Sequence, residues 1–202
     1  MSIEVDEAEH SLEMHLPYIC KMLSRNFSAG SFPPLVPILV GSTSPEVEKE
    51  YGKLLAPYLA DPSNVFIISS DFCHWGSRFS YTYYITDADP SSGYSLTRTS
   101  RPPSDDTPIH ESIRTLDELA MNMIATGLHD MFLSTIEETG NTVCGRHPIG
   151  VVMAAIEKLG TGNKVGEKER KGSFKFVRYE RSSQCMKLSD SSVSYASAFA
   201  VL

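Results

Sequence analysis

The sequence predicts an α/β protein with a mostly parallel sheet flanked by helices. Two short runs, at 35–40 and 65–70, are almost entirely apolar, and each indicates a strand. A helical pattern lies between them, from Ser44 to about residue 60. Strands that are apolar along their whole length are typical of a parallel sheet covered on both faces, and a right-handed crossover would bring these two strands side by side.

The composition excludes several classes of partner. The chain has 202 residues, 41% hydrophobic and 21% charged, which suffices for one domain with a core. Its net charge of −7 argues against nucleic-acid partners and anionic membranes, because both require a basic face. Its apolar runs are too short to span a bilayer. The first residues are acidic, without a secretory signal, and the four cysteines are widely spaced. We therefore expect a cytoplasmic protein with reduced thiols, and the nucleus as a second compartment.

The elements of the first third follow from local patterns. The first helix is predicted over 9–25, with Pro17 as a kink, because apolar residues recur at helical spacing: Leu12, Leu16, Ile19, Cys20 and Leu23. Pro37 keeps the strand at 35–40 away from a central ladder position. The second helix starts at Ser44-Pro45-Glu46, which supplies a capping hydroxyl, a proline in the first turn and an acid near the dipole.

The rest of the chain alternates helices, insertions and closing strands. Helices are predicted at 108–126, 128–138 and 148–159. Strands are predicted at 173–180, which alternates and is expected to be antiparallel, and at 193–201. Ser, Pro, Asp and Thr crowd residues 86–108, and Gly and charged residues crowd 161–172. We predict one domain over 1–202 with flexible insertions in these two segments.

A first chemically rich motif, residues 69–76, follows the second predicted strand. It holds Asp71, Cys73, His74 and the only tryptophan, Trp75. An imidazole at a strand exit can act as a general base or a metal ligand, and Asp71 could orient it. The plainer interpretation is that Asp71 caps the loop while Cys73 and His74 pack. Because ligands of open α/β sheets bind beyond the strand ends, we favour a functional role.

A second motif, residues 141–150, precedes the helix predicted to begin at Pro148. Cys144 is a candidate metal ligand or reactive thiol, since a helix N-terminus favours anions. Arg146 is a candidate anion-binding group because its guanidinium presents a planar fork of donors. The plainer interpretation is a loop with a buried cysteine and a surface arginine. Together, the two motifs indicate one site assembled from two loops.

The first predicted helix carries weaker candidates. His10 and Glu13 are three residues apart and share a helix face, whereas His10 and His15 are five apart and cannot form an H-x-x-x-H metal pair. Acids near a helix start are more often solvated. We retain His10 and Glu13 as subordinate candidates and assign no role to His110 or His129.

Four segments, 9–18, 69–76, 141–150 and 190–196, closely resemble the Memo family, whose members are named as mediators of receptor-tyrosine-kinase-driven cell motility. The resemblance covers most of the chain outside 86–108 and 161–172. It implies a fold similar to class III extradiol dioxygenases, which are non-haem iron enzymes that open catechol rings.

The resemblance also implies roles for individual residues. In the family one iron or copper ion is held by two histidines and the cysteine that matches Cys144. The histidine that matches His74 lines the same pocket as an acid/base group, and we place Asp71 beside it. The family is also described as binding phosphotyrosine peptides there, which suits Arg146 or His147 as anion partners, and we add Trp75 to the ligand-binding residues.

The chain departs from the family at its beginning. It lacks the P-H-A-G-Y-type loop and the serine–histidine–histidine loop that carry the family's two histidine ligands. We therefore expect the C-terminal portion of the family fold, incomplete at the N-terminus, without the three-ligand metal set. Such a sheet would expose strand edges and apolar surface. We expect residues 1–202 alone to be inactive, to retain metal weakly and to aggregate.

Three functions stay open from the sequence. The first is a Memo-family protein with a non-haem-dioxygenase-like pocket and a cytosolic redox or signalling role in motility and the cytoskeleton. It would be a metal-dependent oxidoreductase if it is an enzyme. The alternative is a non-catalytic scaffold that binds phosphotyrosine peptides, and a weaker alternative is a cysteine hydrolase that uses Cys73 or Cys144. The expected partner is a phosphotyrosine peptide or a small molecule, with no nucleic acid and no membrane.

Overall fold

The computed structural model describes residues 2–28, 30–100, 106–160 and 172–202. The chain divides into two compact units, residues 1–42 and 43–202, and each is considered by itself. The prediction of one domain over 1–202 stays a prediction. The predicted insertion at 161–172 lies outside the described residues except for its last residue.

The first unit contains helices α1 (Ile3–Ala8) and α2 (Leu16–Asn26), with a 3₁₀ turn at Glu13–His15. The prediction of one helix over 9–25, kinked at Pro17, is wrong. The Glu9 carboxylate accepts the backbone N–H of Ser11 at 2.6 Å and of Leu12 at 3.0 Å, so a local cap replaces the expected first helical turns. Pro17 instead lies in the first turn of α2, where its missing N–H costs no hydrogen bond.

Neither apolar run that predicted the parallel sheet forms a strand. Residues 31–40 carry no helix or strand, and Val36 is 74% exposed. Residues 65–70, in the second unit, are likewise without a ladder, and Val65 is 85% exposed. All strand pairing in the described part of the chain is antiparallel, so the predicted mostly parallel sheet is not observed there. An apolar run becomes a buried strand only when a neighbouring strand satisfies its backbone groups.

The second unit contains a closely packed pair of helices. Helix α3 (Pro45–Ala60) begins as predicted, with the Ser44 hydroxyl accepting from the N–H of Val47 at 3.4 Å. It packs on α6 (Arg146–Lys158), in which residues 150–156 are all buried. Added to Gly52, a Cβ atom would lie 2.8 Å from the Cβ of Ala154, so a glycine is needed where these two helices cross.

The helices α4 (Ile109–Thr126) and α5 (His129–Thr139) confirm the sequence prediction to within a residue or two. They end at Gly127 and Gly140, whose φ angles of 72° and 62° are the left-handed conformation that favours glycine at a helix end. Both helices contribute to one hydrophobic cluster, which comprises Phe72, Ala120, Met121, Ile124, Phe132, Ile136, Val143 and Met153.

Two small antiparallel sheets complete the second unit. The larger has the order β1 (His74–Trp75), β5 (Ser192–Phe199) and β4 (Lys175–Arg181), which confirms the two closing strands and the antiparallel orientation. The smaller pairs β2 (Tyr83–Tyr84) with β3 (Tyr94–Ser95). Strand β3 belongs to the predicted insertion at 86–108, so part of that segment pairs within the unit, whereas residues 101–105 lie outside the described residues.

Among the helices that the structure describes, none combines the length and the apolar character needed to cross a bilayer.

Candidate functional site

The two motifs lie side by side. The first motif lies along β5 and includes β1. Phe72 donates its N–H to the Ser194 carbonyl at 2.9 Å, and Ser194 donates its N–H to the Cys73 carbonyl at 3.0 Å. The second motif then contacts the first, since Cys144 donates its N–H to the Asp71 carbonyl at 3.3 Å and Gly145 donates to the Ser70 hydroxyl at 3.0 Å. The loops at 69–76 and 141–150, which are distant in the sequence, are therefore hydrogen-bonded to each other.

Cys144 is exposed in this pair of loops. Its sulfur lies 3.0 Å from the backbone nitrogen of Asp71, which donates to it, and 3.7 Å from the Asp71 carbonyl oxygen. The alternative of a buried cysteine at this position is wrong. The loops approach so closely that a Cβ added to Gly145 would lie 2.5 Å from the Ser69 carbonyl oxygen. Only glycine leaves room for this contact.

His74 is half-buried and held by Thr142. Its backbone N–H donates to the Thr142 hydroxyl at 2.7 Å, and its Nδ1 lies 3.1 Å from the Thr142 carbonyl oxygen. A carbonyl only accepts, so Nδ1 carries the hydrogen in the neutral ring and Nε2 is left to exchange a proton. The nearer carboxylate oxygen of Asp71 is 3.6 Å from Nε2, which is too long for a hydrogen bond. Thr142, which the sequence reasoning missed, orients the ring, and Asp71 faces the opposite nitrogen.

Trp75 and Cys73 belong to the core. Trp75 is fully buried, and its indole N–H donates to the Tyr83 carbonyl at 2.9 Å, so it offers no exposed surface for the predicted ligand contact. Cys73 is also fully buried, and burial raises the pKa of its thiol, with the nearby Asp117 adding to the effect. A thiol in that state is a poor nucleophile.

Three further predicted site residues, Arg146, His10 and Glu13, are exposed. Arg146 is exposed at the first residue of α6, and no ion pair to it is found among the described residues. His10 and Glu13 lie in the first unit, and both are exposed, as expected for solvated polar groups. Their subordinate roles stay predictions.

Asp117 is a buried carboxylate that the sequence reasoning missed. Its Oδ1 accepts from the Cys73 N–H at 3.0 Å and from the Asn141 amide at 3.2 Å, so it joins α4 to both motifs. Its Oδ2 accepts from the Tyr179 hydroxyl at 2.8 Å. Burial raises the pKa of Asp117, and the hydrogen bonds only partly oppose that effect. The residue shares the apolar face of α4 with Ile113 in the sequence, and this polar exception was the available signal.

Glu48, His129 and His147 form a second buried polar cluster that the sequence reasoning missed as a unit. Glu48 Oε1 lies 2.8 Å from His147 Nδ1, and Glu48 Oε2 lies 2.8 Å from His129 Nε2. Burial alone raises the pKa of the Glu48 carboxyl, but the hydrogen bonds from His129, His147 and Thr43 outweigh it, and the net pKa is lowered. Burial lowers the pKa of His129, yet its hydrogen bonds to Glu48 and Asp130 raise it overall.

The donor set does not make a complete metal site. Within the described ranges, no group of three or more His, Cys, Asp or Glu side chains is placed to hold a metal ion. Cys144 and His74 flank the same pair of loops and the Asp71 carboxylate lies near His74, but within the described residues these side chains are not placed to hold a metal ion together. The described residues therefore do not by themselves fit the iron or copper that the resemblance implies.

Comparisons with known proteins agree with the motifs. The family model "Memo-like protein" matches residues 1–199. The Danio rerio "Protein MEMO1" is 45% identical over 199 residues, covering 97% of this chain and 57% of the relative. The Homo sapiens protein of the same name is 44% identical, with the same coverage of 97% and 57%. A "MEMO1 family protein" of Schizosaccharomyces pombe is 38% identical, covering 99% of this chain and 62% of the relative. The chain thus spans less than two thirds of the length of these relatives. The family match over residues 1–199 and these identities show that the chain belongs to the Memo family.

Proposed function

We propose that the two-loop site is the working part of a Memo-family protein with a non-haem-dioxygenase-like pocket and a cytoplasmic redox or cell-signalling role in motility and the cytoskeleton. One observation carries the proposal. Asp71 contacts both reactive groups, with its backbone N–H 3.0 Å from the Cys144 sulfur and its carboxylate 3.6 Å from His74 Nε2. Asp71 therefore has the Cys144 sulfur beside its backbone and the His74 ring beside its carboxylate, which supports the proposal that the two side chains act together.

In this proposal His74 transfers protons at Nε2 while Thr142 fixes its ring. The carbonyl of Thr142 holds Nδ1, and its hydroxyl holds the backbone of His74. A fixed ring orientation is one geometric requirement for a general acid or base, and hydrogen-bond reach to the transferred proton is the other. The Asp71 carboxylate lies 3.6 Å from Nε2, on the side of the ring where the proton would be exchanged.

Cys144 supplies a sulfur ligand for iron or copper in this proposal. Thiolate is a soft donor suited to copper(I) and iron. The described residues do not supply a complete ligand set, so further ligands would be needed for tight binding. We expect residues 1–202 alone to bind it weakly and to show no turnover.

The test is a competitive titration of copper(I) and of iron(II) against a chromophoric chelator, under anaerobic conditions, with the 202-residue chain. Cys144→Ala is compared with Cys20→Ala, which removes an exposed cysteine of the other unit. We expect weak binding that falls at least about tenfold only in Cys144→Ala. Equal affinity of Cys144→Ala and the unaltered chain, or no binding by either, would overturn the role of Cys144.

A phosphotyrosine-peptide scaffold is the second candidate, and the exposed Arg146 favours it. The guanidinium lies at the start of the 13-residue helix α6, where backbone N–H groups and the helix dipole also favour an anion. Titration with a phosphotyrosine peptide and its unphosphorylated form tests it. Arg146→Ala is expected to lose about tenfold in affinity, and Arg178→Ala, an exposed arginine of β4, is expected to lose none. Equal affinities would remove Arg146 from the binding surface.

The cysteine hydrolase is the weakest of the three functions. Cys73 is fully buried, which leaves Cys144 as the only nucleophile candidate in the two motifs. Labelling with iodoacetamide at mildly acidic pH distinguishes an activated thiol from an ordinary one. Labelling of Cys144 no faster than that of Cys20 would discard this function.

A further inference from the structure

Glu48 is a buried carboxylate shared by two imidazoles. Its side chain is 1% exposed, and it lies between His129, the first residue of α5, and His147, the second residue of α6. The Thr43 hydroxyl donates to its Oε1 at 3.2 Å. Three donors from three separate segments therefore converge on one carboxylate, a degree of convergence that fixes the position of the side chain.

The hydrogen bonds of His129 decide its protonation state. Its Nε2 lies 2.8 Å from Glu48 and its Nδ1 lies 3.0 Å from Asp130 Oδ1. Ionised carboxylates can only accept hydrogen bonds, so both ring nitrogens carry hydrogen and His129 is an imidazolium. Its charge offsets that of Glu48, and Lys49, 2.7 Å from Asp130, offsets the second carboxylate. The Glu157 carboxylate is also close, since it accepts the backbone N–H of His129 at 2.7 Å.

His147 is the second imidazole that binds Glu48. The distance of 2.8 Å between its Nδ1 and Glu48 Oε1 requires a hydrogen between the two atoms, and Nδ1 is the donor. The Thr43 hydroxyl oxygen lies 3.1 Å and the Thr43 backbone nitrogen 3.5 Å from the same Nδ1, so the carboxylate oxygen of Glu48 is the nearest of the three atoms. In the Nδ1–H tautomer of the ring, Nε2 carries the lone pair. The His147 side chain is 13% exposed, so the ring, unlike the carboxylate, reaches the surface.

We propose that Glu48 is a positioning residue that holds His147 in the Nδ1–H form, so that His147 Nε2 accepts a hydrogen bond or a proton from a ligand hydroxyl or amide. The ligand site lies at the start of α6, next to Cys144 and Arg146 in the chain. An oriented imidazole with one nitrogen tied to a carboxylate is the arrangement that makes the other nitrogen a good acceptor. In this form the ring has no Nε2 hydrogen to donate to a phosphate, so anion binding is left to Arg146.

The proposal goes beyond the proposed function and needs no metal. The test is the tautomer of His147 in the 202-residue chain, read from nitrogen-15 shifts and proton couplings of the ring and assigned with His147→Gln. We expect a protonated Nδ1 and an unprotonated Nε2. In Glu48→Met, which removes the acceptor at similar length, the ratio of the Nδ1–H form to the Nε2–H form should fall roughly tenfold or more.

Thr43→Val removes a hydroxyl that lies 3.2 Å from Glu48 Oε1 and 3.1 Å from His147 Nδ1, so it separates a tautomer held by the hydroxyl from one held by the carboxylate. The Nδ1–H form should persist in Thr43→Val, and its loss there would assign the role to Thr43. An Nε2–H ring, or an even mixture, in the unaltered chain would overturn the proposal, and that measurement decides it even if Glu48→Met does not fold. Retention of the Nδ1–H form in a folded Glu48→Met would remove Glu48 from the role. The tautomer measurement uses no metal, so a negative result would contradict the role of Glu48 without bearing on the role of Cys144 as a metal ligand.

Discussion

Gly150 gives the sharpest test of the buried cluster around Glu48. A Cβ atom added to Gly150 would lie 2.9 Å from Glu48 Cδ and closer still to Oε2, and all three of its nearest heavy atoms belong to Glu48. Gly150→Ala therefore clashes first with Glu48, a carboxylate that is hydrogen-bonded to two imidazoles.

The expected magnitude follows from three terms. Alanine in place of a glycine inside a helix stabilises by about 1 kcal/mol. Forcing an extra methyl group into a packed interior costs about 1–3 kcal/mol. Displacing the carboxylate weakens at least one charged hydrogen bond, at a cost of about 1.5–3 kcal/mol. We expect Gly150→Ala to lower the free energy of unfolding by about 2–4 kcal/mol.

The assay is urea unfolding followed by the fluorescence of Trp75, the single tryptophan, which is fully buried. Sucrose in the buffer favours the compact state and keeps a folded baseline for weak variants. The control is the same substitution in a Glu48→Ala background, where the clashing group is absent and Gly150→Ala should be neutral or stabilising by up to about 1 kcal/mol. Equal effects in the two backgrounds, within about 0.5 kcal/mol, would refute the packing argument.

Three further predictions follow from charge and exposure. The pKa of Glu48 is lowered in the fold, so its contribution to stability is present above the ordinary pKa of 4.5 and is lost as the pH falls below it. The pKa of His129 is raised in the fold, so its contribution is present below the ordinary pKa of 6.5 and is lost as the pH rises through the raised pKa. Glu48 and His129 should therefore contribute most to stability between pH 4.5 and pH 6.5. His129→Gln should flatten the profile of urea midpoint against pH, and an unchanged profile would contradict this prediction. The raised pKa of Asp117 means that the neutral form is favoured in the fold, with stability present below its ordinary 3.8 and lost as pH rises through the raised value. Asp117→Asn should therefore gain in stability relative to the unaltered chain between pH 4 and pH 7, and a relative loss would count against that sign. Val65 and Ile67 are 85% and 51% exposed, so Val65→Thr with Ile67→Thr should reduce dye binding and aggregation without lowering the thermal midpoint, whereas a lower midpoint would mean that they are packed.

Local signals predicted the helices of the second unit because each depends on neighbours in the sequence. Ser44 and Pro45 begin α3 through a hydroxyl cap and a fixed φ, and Gly127 and Gly140 end α4 and α5 through a positive φ. The same local chemistry explains the failure near Pro17. The spacing of apolar residues alone predicts a continuous helix from residue 9, but the Glu9 carboxylate binds the backbone N–H groups of Ser11 and Leu12 and interrupts it.

The strands show the opposite limit. The runs at 35–40 and 65–70 have the composition of buried strands, but composition does not supply hydrogen-bond partners, and neither run forms a ladder. The strands β4 and β5 form where they were predicted because each has a partner close in the sequence, and they pair antiparallel with each other.

The sequence by itself determined the family, the helices with strong caps and the two motifs that carry Cys144 and His74, because these depend on residue identity and short spacing. Only the tertiary structure decided which side chains meet. It placed Asp71 against Cys144, Thr142 against His74, and Glu48 between His129 and His147, across separations of 68 to 99 residues. A buried polar group is recognised by the partners that replace its water, and those partners come together only when helices and loops pack.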